Sequence, residues 1–337
     1  MIGKASKNSQ VSKVEIKAGA MCTTRWFILK AKKAWDLKLG VWEIQLACIP
    51  GMGLVTKVVK RTEWSPRKGV TQNHPFEEYP TSVKFPIMKI IIWNSRGALK
   101  PNFQSHIHGL VQIHDPDIMV IMETKLGGVR AKEITDRLPF DGAIHTETIG
   151  YTRGLWLLWN SDRVEVEALA NTEQEIHVEV KARPSNLTWI FSAIYASPRS
   201  EERHILWDNL SKVAELHNKP WVMAGDFNEP LIEEDKYGGR GVHVNRSLAF
   251  KDCLDSCNMV DMGFSGPRYT WSNKRDLNNL ILERIDRFFM NLDWCLLFPD
   301  AKVTHLPRCH SDHCPVLMES LPNKAIHLTR PFKFQEF

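Results

Sequence analysis

Asn94, Glu123, Tyr195, Asp226 with Asn228, and His313 share one expected position: each is placed directly after a short apolar run of strand-like composition. One acid after a strand is usually a loop residue or a helix cap. Five such coincidences with complementary chemistry call for another reading, because strand ends in α/β architectures converge on one crevice where ligands bind. Asp286 and the adjacent pair Asp312-His313 complete the set. Carboxylates, amides, a phenol and an imidazole are what phosphodiester hydrolysis needs. That reaction calls for a metal to neutralise charge, an activated water, groups on the non-bridging oxygens and an acid for the leaving oxygen. Glu123 offers hard oxygen ligands suited to Mg²⁺, with Mn²⁺ as the other candidate, and Asp312 is a second ligand. His313 can polarise or deprotonate water, or contact the phosphate if protonated, with Asp286 orienting it. Asn94, Asn228 and Tyr195 supply neutral hydrogen bonds, and Asp226 can exchange a proton with the attacking or leaving oxygen.

The elements that must position these residues follow from the pattern. Lys89–Trp93 and Asp117–Met122 read as buried strands flanking an amphipathic helix, Gln104–His114, which is a βαβ-like opening. Gly154–Trp159 and Leu187–Tyr195 are further strands, and Val164–Glu167 and Ile176–Val180 alternate with period two as half-exposed strands do. Ser200–His217 and Ser247–Cys257 read as helices. Trp221–Ala224 runs into the turn Gly225-Asp226-Phe227-Asn228, and Tyr269–Trp271, Ile285–Phe289 and Val303–Leu306 complete the strands.

Composition bounds the rest. The formal net charge of +5 is unevenly placed: residues 1–87 hold 15 Lys/Arg against 6 Asp/Glu, leaving 29 against 33 for the remainder. Residues 1–87 are expected to be a poorly ordered basic extension, with one short helix or hairpin around Trp26–Trp42. The acidic remainder suits a site built from clustered carboxylates, so any affinity for nucleic acid must come from a local patch. No apolar run reaches the roughly 18 residues of a membrane helix, and the first 20 residues are too polar for a signal peptide. Seven cysteines without a regular framework suggest a reducing compartment, nuclear or cytoplasmic, with organelle targeting left open. Cys253 and Cys257 read as packing residues. The ligands in Cys309–Cys314 lie too close in sequence for a zinc site, whose spacings use a long intervening loop.

Six motifs carry a resemblance. Trp93-Asn94, Glu123-Thr124, Tyr195-x-x-Pro198, Gly225-Asp226-Phe227-Asn228, Arg284-Ile285-Asp286-Arg287 and Ser311-Asp312-His313 stand in the order seen in the endonuclease/exonuclease/phosphatase superfamily. The resemblance implies a DNase I-like fold over residues 88–321: a four-layered α/β sandwich of two packed mixed sheets flanked by helices. Trp93-Asn94-x-Arg96-Gly97, the Gly238-Gly239 loop, Tyr269-Thr270-Trp271-Ser272-Asn273 before Glu283–Arg287, and the spacing to Trp294 resemble the apurinic-endonuclease-like domain of plant non-LTR (LINE-type) retrotransposons. Residues 322–337, with Arg330-Pro331-Phe332-Lys333-Phe334, resemble the start of the linker that leads to reverse transcriptase in those elements; no reverse transcriptase is expected on this chain. The resemblance implies a Mg²⁺-dependent endonuclease that nicks DNA to leave a 3′-hydroxyl; a monomer is expected. Its catalytic set would be Asn94, Glu123, Tyr195, Asp226, Asn228, Asp286, Asp312 and His313.

One position departs from repair enzymes of that superfamily. Apurinic endonucleases place an Asp two residues after the strand-end Asn, where it helps hold the metal; this sequence has Arg96 there. That leaves Glu123 and Asp312 to carry the ion. Trp271 is read as core or as an aromatic wall beside the substrate strand, and Arg240, in a glycine-containing basic loop, as solvated or as a phosphate contact. Two other readings stay open. One is a phosphatase or lipid phosphodiesterase of the same fold, for which no lipid- or inositol-binding loop is seen. The other is an inactive retroelement remnant, against which the intact residue types stand.

Overall fold

The computed structural model describes residues 27–31, 42–48, 54–61, 87–148, 153–183 and 185–320. The chain divides into two compact units, Met1–Tyr79 and Pro80–Phe337. In the first, β1 (Phe27–Ala31), β2 (Trp42–Cys48) and β3 (Leu54–Arg61) form an antiparallel sheet in that order. Most of the segment expected to be a poorly ordered extension, and the linker-like tail, lie outside the described residues.

The second unit contains β4 (Lys89–Asn94), α1 (Phe103–His114), β5 (Ile118–Met122), α2 (Gly128–Thr135), β6 (Gly142–His145), β7 (Leu155–Trp159), β8 (Val164–Asn171), β9 (Glu175–Ala182) and β10 (Leu187–Tyr195). It continues through α3 (Ser200–Leu216), β11 (Trp221–Asp226), β12 (Lys236–Tyr237), α4 (Val244–Ser256), β13 (Val260–Asp261), β14 (Trp271–Ser272) and β15 (Leu282–Glu283). Last come β16 (Asp286–Met290), α5 (Leu292–Leu297), β17 (Lys302–His305) and β18 (Val316–Glu319). Two six-stranded sheets result, ordered β17-β18-β4-β5-β7-β6 and β13-β16-β11-β10-β9-β8, with a three-stranded ribbon β12-β15-β14.

The unbroken apolar runs that mark the central strands are needed because these strands are covered on both faces. Along β4, Ile90 and Ile92 turn into the core between the sheets, where they join Val120, Val178, Phe191 and Val222. The alternate residues Ile91 and Trp93 face outward and meet Phe103, Ile107 and Leu110 of α1. Across the other sheet, Ile190, Ile194 and Met223 pack on Leu206, Trp207 and Leu210 of α3 and Phe250 of α4. Helix, sheet, sheet, helix is therefore a four-layered α/β sandwich. The core also takes Cys253 and Cys257.

Each sheet has one parallel pair at its centre, β4 with β5 and β10 with β11, among antiparallel neighbours. The C-terminal ends of these pairs carry Asn94 and then Glu123, and Tyr195 and Asp226. The sheets touch at that end, where the backbone N–H of Asp226 donates to the Met122 sulfur at 3.0 Å. His313 departs from the expected placement. It precedes β18, whose four residues are too short to stand out in the sequence, and does not follow an apolar run.

Gly225 is required by this packing. Its φ is +154°, and a Cβ there would lie 1.8 Å from the carbonyl oxygen of Ile194 on the neighbouring strand. Gly225→Ala is expected to cost about 3 kcal/mol or more, since no flexible side chain can yield to it. Urea unfolding would register this; a variant within 0.5 kcal/mol of the parent would contradict it.

Candidate active site

Antiparallel register places Asp226 of β11 directly opposite Asp286 of β16. Both are buried, at 0% and 1% exposure, so two carboxylates share one dry space. His313 answers that charge, its Nδ1 donating to Asp286 Oδ2 at 2.9 Å and lying 3.9 Å from Asp226 Oδ2. Asn94 Nδ2 donates to Asp226 Oδ2 at 2.9 Å, linking the two sheets, and the Asn228 backbone N–H donates to Asp226 Oδ1 at 2.9 Å. Asn228 takes a left-handed φ of 48°, which asparagine tolerates better than most residues, and its Nδ2 donates to the Ala196 carbonyl. Buried Glu229 follows it and pairs with buried Arg203, which also holds the Ser197 and Pro198 carbonyls, so the loops after β10 and β11 are clamped together.

These contacts set the proton affinities. Burial and then the neighbouring Asp286 charge push the Asp226 carboxyl up to about 7, against the opposing pull of His313 and Asn94. For His313, burial acts to lower the value. The charge and hydrogen bond of Asp286, helped by Asp226 and Asp312, outweigh it and raise the imidazole to about 9. His313 is accordingly an imidazolium at neutral pH, and its Nε2 has no protein partner among the described residues.

A second group lies beside the first. Arg96 Nε and Nη2 donate to the Asp312 carboxylate at 2.7–3.0 Å, and its Nη1 donates to both Glu123 oxygens at 3.2 Å. Burial tends to raise the Asp312 carboxyl, but the Arg96 hydrogen bond, His313 and Trp271 hold it well below the usual range. Burial, together with the Glu123 and Asp226 charges, pushes the Tyr195 phenol up, so it stays neutral beside those carboxylates. Asn94 joins the two groups, because its Oδ1 accepts the Arg96 backbone N–H at 3.2 Å.

Asp226, Asp286 and His313 have potential ligand atoms all within 4.8 Å of one another. They suit a proton network better than a metal, since a protonated imidazole has no lone pair to give. Glu123 and Asp312 suit a metal better. They are hard oxygen donors, and the guanidinium already between them shows that the space accepts a cation. If a divalent ion binds here, these two carboxylates would hold it.

The ribbon explains the Tyr269–Asn273 motif. Thr270 Oγ1 accepts the backbone N–H groups of Ile285 and Asp286, both at 3.1 Å. Trp271 Nε1 donates to Asp312 Oδ2 at 3.0 Å, while the Trp271 backbone bridges His313. Asn273 ties down the Arg275 and Ile281 N–H groups. Trp271 thus orients a carboxylate from a partly buried position. Arg240 is exposed and makes no ion pair among the described residues, so nothing joins it to the centre. In Arg284-Ile285-Asp286-Arg287, both arginines turn away from the site to buried or half-buried Asp235 and Asp261, holding the strand that presents Asp286. Sequence reasoning missed the parts played by Thr270, Ser311, whose hydroxyl donates to the Asn94 carbonyl at 2.7 Å, and Arg96, which it noted only as a departure. The motif spacing pointed to the first two without saying what they hold.

An α/β sandwich that delivers carboxylates, amides and an imidazole to one end of its two central strand pairs is built as a phosphoester hydrolase. The chain belongs to the endonuclease/exonuclease/phosphatase family, whose profile matches residues 91–313. Its members are hydrolases acting on phosphodiester bonds. The AP endonuclease LMAP from Leishmania major is similar in structure, with a TM-score of 0.56 at 16% identity over 69% of this chain and 87% of that one. The catalytic domain of Xenopus laevis APE2 follows the same path (TM-score 0.54, 17% identity, 70% and 94% covered). So does the endonuclease domain of TRAS1, a telomere-specific non-LTR retrotransposon (0.52, 15%, 68% and 97%). At these identities the likenesses establish the fold. No curated protein matches the sequence significantly.

The raised His313 value has a sign that can be checked. With the folded pKa above the ordinary 6.5, the imidazolium contributes stability that is fully present below about 6.5 and lost as pH rises through about 9. NMR titration of the imidazole should find it protonated at pH 7.5, and Asp286→Asn should bring its pKa down sharply. A wild-type His313 titrating at 6.5 would contradict the pairing.

Proposed function

We propose that this protein is a divalent-metal-dependent DNA endonuclease, using Mg²⁺ or Mn²⁺, that descends from a non-LTR retroelement and nicks DNA to leave a 3′-hydroxyl. The observation that carries this reading is the pairing of two adjoining groups: a buried Asp226-Asp286-His313 network, and the Glu123–Asp312 carboxylates, linked to it through Asn94 and then Arg96. A metal held by Glu123 and Asp312 would supply charge neutralisation at the scissile phosphate. Asp226, poised near neutrality with both oxygens already accepting hydrogen bonds, takes a proton from the attacking water, and as the P–O3′ bond breaks the departing 3′-oxygen takes its proton from solvent water. His313 donates from Nε2 to a phosphate oxygen as a cation, fixed by Asp286. Asn94 holds Asp226 in place, and the neutral Tyr195 phenol lies in the field of Glu123 and Asp226.

DNA is favoured as substrate by the rim. Lys100 feels the charges of Lys125 and Lys274 as well as those of Asp312 and Glu123, so three lysines lie near the acidic centre although residues 88–337 are acidic in total. Cations around a carboxylate site suit a polyanion whose backbone must run past the reacting phosphate. The retroelement origin is supported by the Tyr269–Asn273 and Glu283–Arg287 strings and by the similarity to the TRAS1 domain. No helix among the described residues is long and apolar enough to cross a membrane.

The full chain should nick supercoiled plasmid with Mg²⁺ and not with EDTA, with activity rising through about pH 7 as Asp226 ionises and falling through about pH 9 as His313 loses its proton. Glu123→Ala and His313→Ala should each reduce nicking by about a hundredfold or more. Nicking that survives both substitutions, or turnover of a phosphoinositide in place of plasmid, would overturn the reading. Lys100→Ala should raise KM and reduce the dependence of log KM on log salt by about one unit; an unchanged slope would remove Lys100 from the DNA path.

A further inference from the structure

Arg96 stands where the two candidate metal carboxylates meet. Its guanidinium spans them, with Nε and Nη2 on Asp312 and Nη1 on Glu123, and so engages all four carboxylate oxygens. The carboxylates are largely enclosed, at 9% and 16% side-chain exposure, while the Arg96 side chain is 41% exposed and has a route to solvent. Its backbone is held in a left-handed conformation, φ 57°, by the N–H bond to Asn94 Oδ1. Lys125 also approaches Glu123, at 3.5 Å, but reaches one carboxylate only.

We propose that Arg96 is a tethered counter-ion that occupies the Glu123–Asp312 pair, and that a divalent cation binds there by displacing its guanidinium into solvent. The inference rests on the metal-dependent reading above. Two enclosed carboxylates repel each other unless a cation lies between them, and the planar guanidinium, with five donors in a fixed fork, reaches all four of their oxygens at once. The same four oxygens cannot serve the fork and a hard cation together. Exchange leaves the charge balanced: the pair passes from a net −1 with Arg96 in place to neutrality with a divalent ion, and Arg96 keeps its charge in water. The protein would therefore hold its site assembled at low metal concentration, at the cost of weaker metal affinity.

Mn²⁺ binding to the full chain, followed by the EPR signal of the free ion, tests this without reference to catalysis. Arg96→Ala and Arg96→Gln, checked for folding by circular dichroism, should bind Mn²⁺ about tenfold more tightly than wild type or better. Added methylguanidinium should weaken Mn²⁺ binding to Arg96→Ala and leave wild type unchanged, which separates occupation of the site from a loss of positive charge nearby. Equal affinities, weaker binding by the variants, or no methylguanidinium effect would overturn the proposal and leave the metal reading standing. Absence of Mn²⁺ binding by all three proteins would overturn both.

Discussion

Two carboxylates facing each other across antiparallel strands, both cut off from water, set the terms for the rest of this centre. Asp226 and Asp286 cannot both ionise there without compensation, because charge in a dry interior is costly and like charges at close range add to that cost. The structure answers with donors. His313 supplies a full positive charge to Asp286, while Asn94 and the Asn228 backbone supply dipoles to Asp226. The two acids, chemically equivalent in the sequence, thereby become a carboxyl whose proton affinity reaches the neutral range and a partner bonded to an imidazolium.

That compensation depends on bringing distant segments to one point, and the fold's layers do so. Asn94 and Glu123 come from one sheet, Tyr195 and Asp226 from the other, and Asp312-His313 from a loop before the last strand. The ribbon from Tyr269 to Asn273 is wedged between the segment leading to Asp286 and the loop holding Asp312, and its polar side chains bond to both. Arg284 and Arg287 anchor the far side of the same strand in Asp235 and Asp261. Removing one member of such a buried pair strands its partner, which typically costs 3–5 kcal/mol. The motif residues flanking the reactive ones are thus explained by what they hold.

The acidic centre and the lysines near it belong to one electrostatic design. Clustered carboxylates are suited to a cation and to proton transfer but repel a phosphate. Lys100, Lys125 and Lys274 bring positive charge near these carboxylates. Arg96 works at shorter range, cancelling part of the Glu123–Asp312 charge directly. The family's fold is shared with proteins acting as endonucleases, exonucleases and phosphatases, so the sandwich by itself does not select among those substrates.

Much of this was legible in the sequence. The apolar runs of β4, β5, β10 and β11 were visible because strands covered on both faces must be continuously hydrophobic, and the polar residue ending each run marked the crevice. Residue types alone proposed Glu123 and Asp312 as oxygen donors and His313 as a group whose protonation matters. Pairing was not legible. That Asp226 faces Asp286 is a matter of strand register, that Trp271 serves Asp312 depends on a two-residue bridge, and that Arg96 spans Glu123 and Asp312 joins positions more than 200 residues apart. Short strands such as β18 lack enough periodicity to be seen, so His313 was placed after a strand when it precedes one. A sequence records which groups are present and which segments are buried. The protonation state of each group is set by neighbours that come together only on folding, and it was the tertiary structure that decided it.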